Sequence, residues 1–472
     1  MSWKTWKKSL GECVSELILG WMLKISFIFE LFDKYFISLL FYNLIIYMNY
    51  KKLIFTIDLD AFFAACEEKR HPEFKKQPII IGNKMLANRG IVGACNYKAR
   101  EYGIYTGMPI FKAKSLCHNV QIIESDYEYY VKKSEEVFQS IKKIVKNIEV
   151  SSIDECFIEV TNENNSIDPI ELAQRIIWHI LSETGLNASV GISTNKFLAK
   201  MASKMNKPNG LTTLYPFEIE TKLWGLPIDK MHYIGNATAK YLVSKNIFTI
   251  GDLAKLVNDF DKYTLIKKDL GIRLDGYLSC AWGKTKDDVN VSNHYLKSIS
   301  FSKTYLIDLK TPEQVVDALF LLTKTIILKL QYRAMFAKTI SLQTKPNGAL
   351  KPTRTLQKTL DFPSDDLNDF WPLLMKLFDE WYQDQDVRFL AVSVSNLENR
   401  VFRYRQLTLD DLNDESYKKH LNNKENLLIN DLNLIVGYEA LFTMEQFEKI
   451  KRFSDKSLNQ NDRVKFKRWD KY

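Results

Sequence analysis

IDLDAFFAACEEK, residues 57–69, follows an apolar, partly β-branched run over residues 53–57. A short apolar run of this kind reads as a buried strand. Asp58 stands at its C-terminal edge, where a carboxylate has no packing reason to be, so it is a candidate to hold a cation. Asp60 is placed to N-cap a helix beginning at Ala61. The free amides at that helix's start, those of Phe62 and Phe63 among them, could receive a phosphate.

Downstream, IEVSSIDECFIEVT (residues 148–161) alternates on both sides of a tight turn and reads as a hairpin. Asp154 and Glu155 are neighbours at that turn. Adjacent carboxylates repel, and both ionise readily only beside a compensating cation. With Asp58 they make three oxygen-ligand groups on two strands, a donor set that suits Mg²⁺. Two such ions serve an in-line phosphoryl displacement. A solvated acidic turn is the plain alternative for this pair taken singly.

Cations for a polyphosphate are sought nearby. GACNYKAREYG (93–103) puts Tyr97 and Arg100 on one face of a helix, where hydroxyl and guanidinium can both donate to phosphate oxygens. An exposed helix face explains the same spacing. GISTNKFLAKMASKMNKPNG (191–210) reads as strand, helix and turn. Lys196, Lys200 and Lys204 form a stripe expected to be solvated, whereas Pro208 and Gly210 hold Lys207 in a defined turn, as a point charge for a phosphate. In MHYIGNATAKYLVSKNIFTIGDLA (231–254), Gly235 sits in a short turn between helical pieces and can offer backbone amides to a DNA phosphate. The segment resembles a helix-hairpin-helix, with a simple helical hairpin as its rival.

The frame around these motifs is α+β and multidomain. The chain has 472 residues, enough for several domains, and 46% hydrophobic residues, enough for real cores. Its net charge of +9 makes an anionic partner plausible without requiring one. The six cysteines show no C-x-x-C spacing, which argues against a zinc site or redox dithiol, and a reducing compartment is the default. Residues 227–283 read as mostly helical, and 284–292 as a polar linker. Residues 293–399 give strand, long amphipathic helix, two strands, helix and strand, a β-α-β-β-α-β unit. The tail over 400–472 is highly charged. Residues 1–50 form an apolar extension. Its uncharged stretch before Lys51 is shorter than the roughly 20 residues a bilayer needs. Three readings compete there: an interfacial helix, a marginal anchor, or sequence read from an upstream start, the last preferred because Met48 immediately precedes the domain-like segment.

The assembled set resembles the Y-family translesion DNA polymerases, of the DNA polymerase IV and UmuC type, over about residues 51–410. IDLDAFFAACE is similar to that family's first metal motif, SSIDECF to its second, NYKAR to its phosphate-binding helix and MNKPNG to its lysine loop. The resemblance implies a right-hand polymerase with palm and fingers (51–226), a thumb (227–283) and a little finger (293–399). It implies that Asp58, Asp154 and Glu155, with the backbone carbonyl of Leu59, bind two Mg²⁺. It implies that Tyr97, Arg100 and Lys207 hold the triphosphate, that Phe63 is the steric gate against a ribose 2′-hydroxyl, and that Ile91 and Gly107 flank the nascent base pair.

The implied activity is addition of dNTPs to a primer 3′ end on template DNA. Nothing in the chain is large enough for a proofreading exonuclease domain, so synthesis is expected to be error-prone and tolerant of template damage. The implied enzyme is monomeric and cytoplasmic, away from membranes. Gln406, Leu407 and Leu409 resemble a sliding-clamp peptide of the QLSLF type, with Asp410 in place of the final aromatic, so weak docking is expected. Many relatives carry threonine where this chain has Ala94, a change expected to weaken nucleotide binding. A palm-like nucleotide cyclase and a non-catalytic DNA-binding paralogue are the rivals. The cyclase has no use for the phosphate-binding hairpin, and the paralogue should have lost a metal ligand.

Overall fold

Strand β1 (Lys52–Leu59) is buried on both faces from Leu53 onward, which explains its unbroken apolar run. The computed structural model describes residues 52–84, 90–161, 168–285, 289, 296–346, 353–383 and 385–399. The apolar extension and the clamp-like peptide at Gln406, Leu407 and Leu409 lie outside them. The chain divides into two units. One takes in the described parts of Met1–Gly82, Val92–Met108 and Lys112–Ser292; the other those of Asn83–Ile91, Pro109–Phe111 and Asn293–Tyr472.

In the first unit β1 leads into α1 (Phe62–Arg70). Strands β2 (Ile79–Ile81), β3 (Ala94–Cys95) and β4 (Gln121–Ile123) make a small sheet of order β3-β2-β4, with α2 (Tyr97–Glu101) beside β2, and α3 (Ile110–Leu116) begins in the Pro109–Phe111 stretch of the second unit. Helix α4 (Tyr127–Lys142) starts where the Asp126 carboxylate accepts from the amide of Tyr129. Strands β5 (Ile148–Val150) and β6 (Glu155–Thr161) are the expected hairpin. Helix α5 (Pro169–Thr184) opens with proline after an Asp168 cap and ends at Gly185 in the left-handed region, a standard start and stop. Strand β7 (Ala188–Ser193), α6 (Lys196–Met205) and β8 (Leu211–Thr213) follow.

The main sheet runs β5-β6-β1-β7-β8, with β1 antiparallel to both β6 and β7. The strand period of two then sorts β1 cleanly. Leu53, Phe55, Ile57 and Leu59 join the core with Val137 and Ile141 of α4 and Ile176 and Ile180 of α5. On the opposite face Ile54 packs with Phe157 and with Ala199 of α6. Asp58 shares that second face, so α6 lies beside it.

Close approach of α6 depends on Gly191. A Cβ there would fall 2.1 Å from the Ala199 carbonyl oxygen, so no side chain fits. The far side of α6, with Phe197, Leu198 and Met201, shares a core with Leu242, Leu253, Ile266 and Leu274 of the helical segment after residue 227. That segment holds α7 (Asn236–Ser244), α8 (Ile250–Ala254), α9 (Phe260–Leu270) and α10 (Ile272–Ala281). Helix α6 is therefore covered on two sides.

In the second unit β9 (Ser298–Leu309), α11 (Pro312–Tyr332), β10 (Met335–Pro346), β11 (Arg354–Ser364), α12 (Leu367–Trp381) and β12 (Val387–Asn399) follow in the expected β-α-β-β-α-β order. The sheet is antiparallel, in order β11-β10-β12-β9. Leu319 and Ile326 of α11 and Phe370 and Leu377 of α12 pack on its apolar face. Among the described residues no helix is long and apolar enough to cross a membrane.

Candidate active site

Register brings the acidic residues together. Asp58 of β1 pairs with Glu155 of β6, so their side chains rise from the same sheet face. The turn holding Asp154 is fixed to the end of β1, because the Leu59 amide donates to the Asp154 carbonyl at 2.9 Å. Ser134 of α4 pins the same turn by donating to the Ile153 carbonyl at 2.5 Å. Asp154 Oδ1 accepts from the Ser152 hydroxyl at 2.6 Å.

Two ammonium groups sit among these carboxylates. Lys200 Nζ lies 2.5 Å from Asp58 Oδ2 and 2.6 Å from Glu155 Oε2, with only 8% of its side chain exposed. Lys207 pairs with Asp58 Oδ1 and lies 3.6 Å from Asp60 Oδ1. The expected solvated stripe is thus corrected at Lys196 and Lys200, while Lys204 is exposed as expected. Lys200 is buried, and Lys196 lies 2.6 Å from Glu149 on the same sheet face. The reason is the Gly191 contact, which lays α6 flat on the acidic face of the sheet.

Burial works to raise the Asp58 carboxyl, but Lys200 and Lys207 outweigh it and hold its pKa below the usual carboxylate value. Burial dominates at Glu155, whose pKa is raised despite Lys200, with Asp58 and Asp154 adding to the rise. Burial disfavours the Lys200 ammonium, yet the two carboxylates reverse that and raise its pKa. Among the described residues no three His, Cys, Asp or Glu side chains already converge as a metal cage. The oxygen donors nonetheless fit a hard divalent ion, since Asp58 and Glu155 already close on one shared cation, Lys200 Nζ.

Asp60 is not the cap of α1. The cap residue is Ala61, in the left-handed region, and no side chain caps the helix. The Asp60 carboxylate is only 4% exposed and turns to the loop of Lys207. It accepts from Ser189 Oγ at 2.9 and 3.0 Å, from the Asn209 amide at 2.8 Å and from the Tyr97 hydroxyl at 3.4 Å. Gly210 permits the loop's sharp return, because a Cβ there would meet the Asn206 carbonyl oxygen at 1.8 Å.

Tyr97 and Arg100 both lie on α2, whose cap Asn96 accepts from the Ala99 amide, and the Arg100 guanidinium sits 4.7 Å from the Tyr97 ring centre. Burial and the Asp60 charge push the Tyr97 hydroxyl up to about 12, so it stays a proton donor near neutral pH. Phe62 is buried in the core, so only its backbone could meet a ligand. Phe63 is half-buried. Its ring stacks on Tyr130 at 4.5 Å and 16° and meets the edge of Tyr127 at 5.7 Å. Tyr130 is anchored in turn, its hydroxyl donating to Glu67 at 2.8 Å.

Gly107, Ile91 and Gly235 are each fixed by local contacts. Gly107 adopts φ +90, its amide donating to the Val92 carbonyl at 2.7 Å, and Ile91 is 60% exposed and bridged to Pro109. Gly235 sits immediately before α7, in extended conformation. Lys200, Asp60 and Ser189 were missed as members of the site. For Ser189 the signal was its register opposite Asp58; for Lys200 it was the glycine in the facing strand.

Two sequence profiles match the chain: the impB/mucB/samB family over residues 57–204 and the impB/mucB/samB family C-terminal domain over residues 296–409. The chain is 34% identical over 367 residues to the DNA polymerase IV of Ureaplasma parvum serovar 3, covering 77% of this chain and 99% of that protein. It is 32% identical over 376 residues to the DNA polymerase IV of Bacillus velezensis, covering 79% and 89%. Its fold is similar to a solved Y-family DNA polymerase chimera, with a TM-score of 0.64, 26% identity, and coverage of 74% of this chain and 99% of that one. The chain belongs to the impB/mucB/samB family, the Y-family DNA polymerases of the DNA polymerase IV type.

Proposed function

We propose that this translesion DNA polymerase extends primers at the Asp58–Asp154–Glu155 cluster with two Mg²⁺ ions held there and by the Leu59 carbonyl. The observation that carries the reading is the pair of carboxylates on facing strands closing on one cation, Lys200 Nζ. When bound, such ions activate the primer 3′-hydroxyl and neutralise the leaving pyrophosphate. Tyr97, Arg100 and Lys207 receive the triphosphate, helped by the uncapped amides of Phe62 and Phe63 at the start of α1. Tyr97 serves as a hydrogen-bond donor because its proton is held well above neutral pH. Phe63, braced by Tyr130, faces the sugar and excludes a 2′-hydroxyl. Ile91 and Gly107 flank the nascent pair, and Gly235 supports a DNA phosphate.

Primer-template DNA and dNTPs are the partners. We assign palm and fingers to 51–226, the thumb to 227–283 and the little finger to 293–399, in a cytoplasmic monomer. Primer extension tests the core of the proposal. Asp154→Ala and Glu155→Ala should each abolish extension while DNA binding, measured by fluorescence anisotropy, persists. A folded variant that extends at the parent rate would remove that residue from the metal site.

A further inference from the structure

We infer that Asp60 is a positioning residue for the incoming triphosphate, acting through Tyr97 and Lys207. This rests on the proposed role of those two side chains. The carboxylate is almost wholly buried, yet it sits on no helix end. It is the common acceptor for three separate segments. Ser189 of β7 donates to both its oxygens, the Asn209 amide ties it to the Lys207 loop, and the Tyr97 hydroxyl reaches it from α2. The Gly210 amide closes the set by donating to Ser189 Oγ at 3.2 Å.

Lys207 is shared between Asp58 and Asp60. In the proposed mechanism Asp58 is committed to binding a divalent cation. Asp60 is then the anion that keeps the Lys207 ammonium beside the strand end instead of free in solvent. The same carboxylate receives the Tyr97 hydroxyl at 3.4 Å before nucleotide arrives, and that single proton turns to a phosphate oxygen when the nucleotide binds. Two phosphate donors from distant parts of the chain are thereby set at a fixed spacing by one buried group. Such preorganisation lowers the cost of binding the nucleotide rather than altering the bond that forms.

Steady-state single-nucleotide incorporation tests this. Asp60→Asn keeps the shape but removes the negative charge facing Lys207, and it should raise KM for dNTP about tenfold, a larger factor than any fall in kcat. In a Tyr97→Phe/Lys207→Ala background the same change should raise KM by less than about twofold, because the groups it acts through are gone. A full tenfold effect in that background, or a fall in kcat with KM unchanged, would overturn the inference. If Asp60→Asn does not fold, Ser189→Ala, which removes the donor to both oxygens, should raise KM about threefold and lose that effect in the same background. An unchanged KM there counts against the inference in the same way. The outcomes separate the two layers of argument. If Tyr97→Phe and Lys207→Ala leave KM unchanged, the triphosphate assignment itself fails and takes the role of Asp60 with it. If they raise KM and neither Asp60→Asn nor Ser189→Ala does, only the role of Asp60 fails.

Discussion

Lys200→Met should destabilise the metal-free protein strongly and the metal-loaded protein much less. The substitution keeps an apolar stem of similar length on α6 and removes an ammonium lying 2.5 Å from Asp58 and 2.6 Å from Glu155. The three side chains are 8%, 11% and 14% exposed, so solvent can repair little of the loss. Removing one partner of a buried pair costs about 3–5 kcal/mol. Asp58 retains Lys207, so the cost falls mainly on Glu155 and should lie near the lower end, about 3 kcal/mol. For a unit of this size each kcal/mol shifts Tm by about 2–4 °C, giving a loss of about 6–12 °C. Thermal unfolding followed by circular dichroism in EDTA measures it. Repeating the melt with millimolar Mg²⁺ should close more than half of the gap, because a divalent ion restores the missing positive charge. A variant that melts within about 1 °C of the parent in EDTA would refute the claim that Lys200 holds the carboxylates together. A large loss untouched by Mg²⁺ would refute the claim that they bind a cation.

Three further outcomes are expected, the last from sequence alone. Phe63→Ala should improve rNTP over dNTP incorporation by at least about tenfold, equivalent to about 1.4 kcal/mol, at a stability cost below the roughly 3–5 kcal/mol of a fully buried phenylalanine; an unchanged ratio in single-turnover assays would remove it from the sugar site. His232 is held neutral by burial and by Lys204 and Lys200, its pKa lowered to about 4, so the unfolded chain binds its proton first and stability should drop as pH falls from about 6.5 to 4. The full shift corresponds to about 3 kcal/mol and solvent screening of a part-exposed ring leaves about 1; urea melts should show that acid limb shrinking in His232→Gln. Asp410→Phe should tighten binding to a sliding clamp, and Leu407→Ala with Leu409→Ala should abolish it in a titration by surface plasmon resonance.

The fold was legible where burial and period agree. In β1 the apolar run reads as a buried strand, and the structure buries it on both faces in the middle of the sheet. In the second unit each helix carries an apolar stripe and each strand an alternation, so the β-α-β-β-α-β order could be read directly. Capping chemistry sets further boundaries, at Asp168-Pro169 and at Gly185, that the sequence reading did not use. The cap at Asp60 failed for a physical reason. A short polar residue before a helix satisfies the local rule for an N-cap, but a buried carboxylate takes the strongest donors within reach. Ser189 and the Asn209 amide are more than a hundred residues away in sequence and 3 Å away in space.

The lysine stripe on α6 shows the same conflict between local and tertiary rules, and it bears on how the site functions. A helix with charge on one face and apolar side chains on another is ordinarily read as half-solvated. Here the apolar face is taken by the helical segment after residue 227, and the lysine face is turned to the sheet at Lys196 and Lys200, with Lys204 left exposed. A lysine is tolerated there only because the sheet offers Glu149, Asp58 and Glu155 at the right heights, and those carboxylates are tolerated because the lysines are there. Neither half is intelligible from its own segment. The mutual dependence sets a condition on catalysis. An acidic cluster that already has a resident cation can fold before any metal arrives, and its charge need not be balanced by the nucleotide alone. The sequence singles out Asp58 because a carboxylate at a strand's end lacks a packing reason, and Asp154 and Glu155 because they are adjacent at a turn and join Asp58 as second and third oxygen donors. It hides Lys200 because lysine on a helix needs no explanation until the facing strand places a glycine beneath it.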